Sequence, residues 1–221
     1  ANYNGNSVTI VDVTTDAVLT TVNTGLNPQS SVFSNDGGTL YVVNSGDFNV
    51  VVMDMSTYAI TDTIPVGEFP IGIDITPDGS TLYVANSSFV DSTGSVISTA
   101  PNAVIAPIEV GRAPQDVEFS AAGPTVYVSN NTANTVSVIS TATNTVTATI
   151  PVGPGPGPLS LHPDGSELYV MNGADSYVSV VSTATNTVID SIPGVDFGLG
   201  MDITPDGTTL YALTPFFGTA Q

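Results

Sequence analysis

The stretch STLYVANSS, residues 80–88, recurs with small changes along the whole chain. Its five copies are spaced by 42, 44, 42 and 42 residues and are centred on Tyr41, Tyr83, Tyr127, Tyr169 and Tyr211. Two other signals keep the same step: a motif such as IPVG that ends in Gly, and an Asp-Gly turn just before most of the Tyr strands. This regularity predicts one supersecondary unit that is repeated five times.

Each repeat contains four short apolar runs that are separated by turn residues. In the second repeat the runs span residues 49–55, 59–66, 71–76 and 81–86. Val, Ile, Thr and Tyr dominate them and no helical periodicity is present, which predicts a four-stranded antiparallel meander. One such sheet cannot bury both of its faces alone. The repeats are therefore expected to stack face to face as the blades of a propeller.

The strand motifs resemble a known family. YVVN, YVAN, YVSN and YVMN, with PDG ahead and IPVG behind, resemble the YVTN-type β-propeller repeats of archaeal and bacterial cell-surface and surface-layer proteins. The resemblance covers essentially the whole chain, and STATNTV at residues 140 and 182 matches the family's turn between its outer strands. The final repeat departs from the pattern and reads YALT, so the loop after Tyr211 is expected to differ.

The repeat frame predicts how the chain closes. The sequence starts with two strands that elsewhere end a unit and finishes with two that begin one. We therefore predict one all-β domain over residues 1–221, a five-bladed β-propeller of four-stranded antiparallel blades. The N-terminal two strands would pair with the C-terminal two and close the ring, which removes exposed sheet edges.

Residues 214–221 are surplus to such a ring. One interpretation is a tail that packs Phe216 and Phe217 over the seam. Another is that the tail or the opening strands pair with a neighbouring molecule, which would build fibres. A third is that the five repeats are cut from a longer array.

Charge restricts the partners. The chain has 20 acidic residues, one Arg and no Lys, for a net charge of −19. It therefore cannot build a phosphate-binding surface, which excludes nucleic acid and anionic membranes as expected partners. The sequence has no run of 18 apolar residues, so it does not predict a membrane-spanning segment. No signal peptide is visible at Ala1, and we interpret the chain as a mature or trimmed product. The scarcity of basic residues favours an extracellular or cell-surface location. There, salt, divalent cations or glycans would reduce the electrostatic repulsion among the chain's acidic side chains.

The sequence offers little material for catalysis. His162 is the only His, there is no Cys, and no GxGxxG, Walker or HExxH motif occurs. A hydrolytic triad would need a Ser and an Asp that converge on His162. That residue occupies the repeat position of Thr76 and Thr204, just before a turn, which favours a structural role. We predict no catalytic residue and no certain cofactor.

Three carboxylates share one repeat position, nine residues before the strand tyrosines: Asp74, Glu118 and Asp202. On strands that line a propeller channel they can converge and hold a hard cation such as Ca²⁺. The alternative is that each carboxylate accepts hydrogen bonds from backbone amides of the next blade or from channel water. The aspartates of the PDG turns are interpreted as turn formers.

Two N-x-[ST] sequons, at Asn86 and Asn130, follow Tyr strands where the chain is expected to enter a surface loop. In a secreted protein they are candidate glycosylation sites. Such triplets also arise by chance in a chain this rich in Asn, Ser and Thr.

The leading functional hypothesis combines composition with the family resemblance. The resemblance implies a non-catalytic extracellular structural or adhesive propeller, a subunit of a cell-surface layer, sheath or fibre that associates with itself. One alternative is a module that binds a sugar, peptide or cation at the channel mouth. Another is a glycoside-active enzyme that uses only carboxylates, although the absence of Trp disfavours a sugar-processing cleft.

Overall fold

The computed structural model describes residues 1–88, 92–120, 123–195 and 198–213. The chain forms two compact units, Ala1–Ile108 and Glu109–Gln221. Within the described ranges, helical structure is limited to one short 3₁₀ turn at Tyr3–Gly5. None of these residues belongs to a helix that is long and apolar enough to cross a membrane.

The first unit contains ten strands in three sheets. Strands β1 and β2 form a two-stranded sheet, and β3 to β6 and β7 to β10 form four-stranded antiparallel sheets in which neighbours in sequence are neighbours in space. The bounds are β1 Ser7–Asp12, β2 Ala17–Asn23, β3 Pro28–Phe33, β4 Thr39–Asn44, β5 Asn49–Asp54, β6 Ile60–Pro65, β7 Pro70–Ile75, β8 Thr81–Ser87, β9 Ser92–Thr99 and β10 Asn102–Glu109.

The second unit repeats this arrangement in the opposite order. Strands β11 to β14 and β15 to β18 form four-stranded sheets, and β19 and β20 form a two-stranded sheet. The bounds are β11 Pro114–Phe119, β12 Thr125–Asn130, β13 Thr135–Ser140, β14 Thr145–Pro151, β15 Pro156–Leu161, β16 Glu167–Asn172, β17 Tyr177–Ser182, β18 Thr187–Pro193, β19 Gly200–Ile203 and β20 Leu210–Leu213.

The strand tyrosines mark one register that all four complete sheets share. Each Tyr lies on the second strand of its sheet, opposite a Val of the third strand. The pairs are Tyr41 with Val52, Tyr83 with Val96, Tyr127 with Val138, and Tyr169 with Val180. The predicted repeat and its four-stranded antiparallel sheet are therefore confirmed.

The sheets within each unit stack face to face. In the first unit, Val8 of β1 packs with Leu40 and Met53 of the next sheet. The opposite face of that sheet packs Val50 and other side chains against Leu82 of the third sheet. In the second unit, one core joins the sheet of β11 to β14 with that of β15 to β18. Consecutive residues of the second strands are fully buried, such as Val42 and Val43 of β4 and Val170 and Met171 of β16, so both faces of these strands are covered.

The turns between strands repeat their backbone conformation as well. After the first strand of a sheet, the Gly of an Asp-Gly pair adopts a left-handed conformation, with φ of 71° to 76° at Gly37, Gly79, Gly165 and Gly207. Only Gly takes this conformation without a steric penalty. The predicted Asp-Gly turn is thereby confirmed in four repeats. The variant turn predicted at residues 121–124 lies partly outside the described residues.

One sequence interpretation needs correction. The four apolar runs at residues 49–86 are strands with nearly the predicted bounds, but they do not form one sheet. Strands β5 and β6 end the second sheet, and β7 and β8 begin the third. The boundary falls at Gly67, where the chain leaves an outer edge strand for the first strand of the next sheet.

The two-stranded sheets differ from the complete ones in exposure. Tyr211 and Leu213 of β20 are each 65% exposed, whereas Tyr41, Tyr83 and Tyr127 are between 3% and 5% exposed. Strand β20 therefore presents apolar side chains that the equivalent strands of complete sheets bury.

Candidate functional site

The carboxylates predicted to hold a cation are engaged with backbone amides. Asp74 and Asp202 each accept a hydrogen bond from the amide of the following residue, at 2.8 Å. Glu118 accepts one from Leu161 N of the neighbouring sheet, at 3.1 Å. Across residues 1–88, 92–120, 123–195 and 198–213, no three acidic, His or Cys side chains form a group that could hold a metal ion. The contact of Glu118 is the one that the alternative interpretation expects, an amide of the neighbouring sheet. A Ca²⁺ site at Asp74, Glu118 and Asp202 stays a prediction.

Asp116 has a related role that sequence reasoning missed. Its Oδ2 accepts a hydrogen bond from Leu159 N, at 2.9 Å, while its Oδ1 accepts one from Val117 N. Together with Glu118 it connects the edge of β11 to β15. In the first unit, Ser30 of β3 donates to Ile71 O of β7 across the corresponding edge. Asp116 lies two residues before Glu118. Because side chains alternate between the two faces of a strand, this spacing places both carboxylates on one face, and it is the sequence signal that could have identified Asp116.

The sequon asparagines are buried. Asn86 is 1% exposed and Asn130 is fully buried. Their Nδ2 atoms, to which a glycan would be attached, donate to Ser95 Oγ at 3.0 Å and to Ser137 Oγ at 2.9 Å. The folded chain therefore does not present either amide to a glycosyltransferase.

These two residues belong to a set that occurs once in each complete sheet. At the end of every second strand, a buried Asn packs against the Gly that precedes a first strand. A Cβ added to that Gly would lie 2.6 to 2.8 Å from the Asn side chain, and each Asn Oδ1 has no protein hydrogen-bond partner. The set is Asn44 with Gly25, Asn86 with Gly67, Asn130 with Gly111, and Asn172 with Gly153. This contact holds the segment that enters a sheet against the second strand of that same sheet.

His162 lies in a turn, as its repeat position predicts. Its Nδ1 is 2.7 Å from Asp164 Oδ1, and its ring covers Gly207 of the next turn. In the sister turn, Thr76 donates to Asp78. Hydrogen bonds from Thr76 and Ser80 lower the pKa of Asp78 to about 2. The imidazole contacts the turn Asp as the Thr hydroxyl does in the sister turn, and its Nδ1 also lies 3.3 Å from Asp164 N. Its role in the folded chain stays a prediction.

The second unit contains one groove that the sequence did not predict. It has a volume of about 440 Å³ and lies where β14, β17 and β18 meet. Its lining includes Val152, Tyr177, Ser179, Ile189 and Asp190. The groove forms between the outer strands of two stacked sheets, which is why a single repeat does not reveal it.

Phe216 and Phe217 lie outside the described residues.

The chain is an all-β protein with a β-propeller-like fold. No protein-family model matches it, and no curated protein matches it. Many solved structures resemble it, including the following two. Hydrazine synthase from Kuenenia stuttgartiensis is 21% identical with a TM-score of 0.71, over 96% of this chain and 87% of that chain. A functionally unknown protein from Desulfotomaculum acetoxidans DSM 771 is 16% identical with a TM-score of 0.86, over 97% of this chain and 71% of that one. At these identities the likeness concerns the fold alone.

Proposed function

We propose that the chain is a non-catalytic extracellular structural or adhesive propeller of the YVTN-repeat type, a subunit of a cell-surface layer, sheath or fibre. The observation that carries the proposal is the exposed strand β20, whose Tyr211 and Leu213 are each 65% exposed. Apolar side chains on an open sheet edge favour pairing with another strand. The acidic surface and the structural contacts of His162 and Glu118 support a role in contact rather than in chemistry.

We further propose that β1 and β2 complete the sheet of β19 and β20 and close a five-bladed ring. Support comes from register. Ile10 of β1 precedes a bulge, as Val52 of β5 does, and Val52 lies opposite Tyr41. By this repeat rule Ile10 would lie opposite Tyr211, and Thr9 opposite Ala212. Pairing of β1 with β20 would cover the apolar side chains of β20. The pairing closes the ring if both strands belong to one copy, and it joins copies if the strands are exchanged.

Cysteine cross-linking tests closure, because the chain has no Cys of its own. We expect the variant Thr9→Cys with Ala212→Cys to form a disulfide within one molecule under mild oxidation, since directly opposed strand residues meet the Cα spacing of a disulfide, roughly 4.4–6.8 Å. Ile10→Cys with Ala212→Cys is the matched control, because a shift of one residue places the two thiols on opposite faces. A ladder of cross-linked oligomers would show strand exchange between molecules, and no cross-link would contradict the register.

Self-association is tested on the unmodified chain. We expect light scattering to show growth with concentration, and electron microscopy to show arrays or filaments rather than discrete rings. Added salt is expected to promote growth, because it screens the repulsion between copies that each carry a net charge of −19. Particles that stay monomeric at every concentration and salt level would contradict a structural subunit.

The groove at β14, β17 and β18 favours a second candidate function, a ligand-binding module. Tyr177 offers a ring and a hydroxyl, Ile189 offers apolar surface, and Asp190 offers a charge, a combination that suits an extended peptide or a sugar. Binding of an oligosaccharide or a cationic peptide, followed by NMR, would shift the signals of these residues. Shifts elsewhere or none would disfavour this candidate.

A further inference from the structure

Two loops of the chain have the same backbone and opposite chemistry. Residues 67–69 lie between β6 and β7, and residues 111–113 lie between β10 and β11. Phe69 and Ala113 adopt the same left-handed conformation, with φ of 50° and 52°. Their carbonyls accept hydrogen bonds of 2.9 Å from Ser87 N and Asn131 N. Each loop is therefore held rigidly against its own sheet.

The first loop is acidic and bulky. Glu68 is exposed and Phe69 is 46% exposed. A left-handed conformation is uncommon for a bulky residue and carries a steric cost. The ring of Phe69 stands edge-on to that of Phe48, with centroids 5.0 Å apart and planes at 66°. This contact holds an aromatic ring in place where water still reaches it.

The second loop is basic and small. At the position of Glu68 it carries Arg112, and at the position of Phe69 it carries Ala113, which is 5% exposed. Arg112 is the only Arg or Lys of a chain with 20 acidic residues. It is exposed, and it forms no ion pair with any residue that the structure describes. The loop thus offers a cation beside a small side chain, where the first loop offers an anion and a ring.

We propose that the two loops join separate copies of the chain: the 111–113 loop of one copy docks on the 67–69 loop of a second. The guanidinium of Arg112 pairs with the carboxylate of Glu68 and lies against the rings of Phe69 and Phe48. Arg is favoured at such contacts because it combines a planar charge with attraction to aromatic faces. This inference rests on the proposed self-association and names the surfaces that carry it.

A charge swap tests the contact. The variants are Glu68→Arg, Arg112→Glu and the double variant, whose net charge equals that of the natural chain. Sedimentation velocity over a concentration series gives the association constant of each. We expect each single reversal to weaken association by about tenfold or more, because like charges placed opposite each other across an interface are strongly unfavourable. We expect the double variant to recover association to within about threefold, since it restores opposite charges.

Controls separate this contact from general effects of charge. Asp62→Arg changes the net charge by the same amount as Glu68→Arg, on the exposed strand β6, and is expected to leave association within about threefold of the natural chain. Glu68 and Arg112 are both exposed, so thermal melting is expected to be unchanged in every variant. This inference alone is overturned if neither single charge reversal weakens self-association. It is also overturned if the double variant does not recover the association constant of the natural chain. A natural chain that never associates overturns the proposed function as well.

Discussion

The complete sheets and the two-stranded sheets carry the same repeat but bury it differently. Tyr83 lies on the second strand of a complete sheet and is 3% exposed, and burial raises the pKa of its phenol to about 12. Tyr211 occupies the same repeat position and is 65% exposed. The repeat motif therefore specifies a strand, whereas burial depends on whether the strand has neighbours on both sides.

The largest expected effect is a cavity in a complete sheet. Leu168 lies on β16, is fully buried, and packs in the core of the second unit. We expect Leu168→Ala to lower the free energy of unfolding by about 2–5 kcal/mol, because it removes buried methyl groups and leaves a cavity. Urea denaturation measures this change. A loss below about 1 kcal/mol would mean that this core is loosely packed.

Leu213→Ala tests whether the two-stranded sheet of β19 and β20 is covered by further strands. At its present exposure of 65% the substitution would cost less than about 0.5 kcal/mol. If β1 pairs with β20 as proposed, Leu213 becomes buried, and we expect a loss of about 2 kcal/mol or more. The same urea experiment distinguishes the two values, and the smaller one would contradict closure.

A steric test addresses the contact between Gly and Asn that the complete sheets share. A Cβ at Gly153 would lie 2.3 Å from Tyr177 Oη and 2.6 Å from Asn172 Cγ. We expect Gly153→Ala to destabilise by about 1–3 kcal/mol, because neighbouring groups must move. Gly157→Ala is the matched control four residues away, since a Cβ there meets nothing within 4 Å. Equal melting temperatures for the two variants would contradict the close contact.

Acid titration examines a turn that both kinds of sheet share. Hydrogen bonds from Thr76 lower the pKa of Asp78, and those from Thr204 lower the pKa of Asp206, in each case from 3.8 to about 2. A lowered pKa adds stability that is fully present above pH 3.8 and is lost as the pH falls toward 2. We expect Thr76→Val and Thr204→Val to raise the pKa of their own Asp, as followed by NMR. An unchanged pKa would show that the hydroxyl is not the main cause.

His162→Thr is expected to have the smallest effect. The substitution installs the residue found at this position in two sister turns, and threonine can donate to Asp164 as Thr76 donates to Asp78. We expect a change in melting temperature of about 2 °C or less, measured by calorimetry at pH 7. A large drop would assign His162 a role beyond its turn.

The strands and turns could be predicted because their determinants are local. Period, alternation and Asp-Gly pairs fix β4, β8 and their turns within single repeats. An apolar pattern does not separate outer from inner strands, so the runs at residues 49–86 were assigned to one sheet. The two-stranded ends of the chain had already indicated a boundary between residues 66 and 71. The burial of Asn86 and Asn130 was also missed. Each sits where a strand ends, and only the packing of the Gly that leads into the same sheet shows that the strand end is covered.

The candidate site residues were less predictable because their partners lie a whole repeat away. Glu118 pairs with Leu161, and Asp116 with Leu159, at a separation of 43 residues. A repeat position predicts that carboxylates lie on equivalent strands, but not whether each one turns toward a shared centre or toward a neighbouring amide. The exposure of Phe69 and Arg112 depends on the same long-range packing.

The buried asparagines also bear on the chemical lifetime of the chain. Asn172 is followed by Gly173, the dipeptide most prone to deamidation, in which the backbone nitrogen after Asn attacks the side-chain carbonyl carbon. Here that nitrogen donates to Gly155 O at 2.9 Å, and the Asn amide donates to Ser179 Oγ at 2.8 Å. The equivalent nitrogens at Ser45, Ser87 and Asn131 are held in the same way. The folded repeat is therefore expected to slow deamidation at Asn172 and at the equivalent asparagines, in contrast to the exposed Asn4-Gly5 pair near the start of the chain.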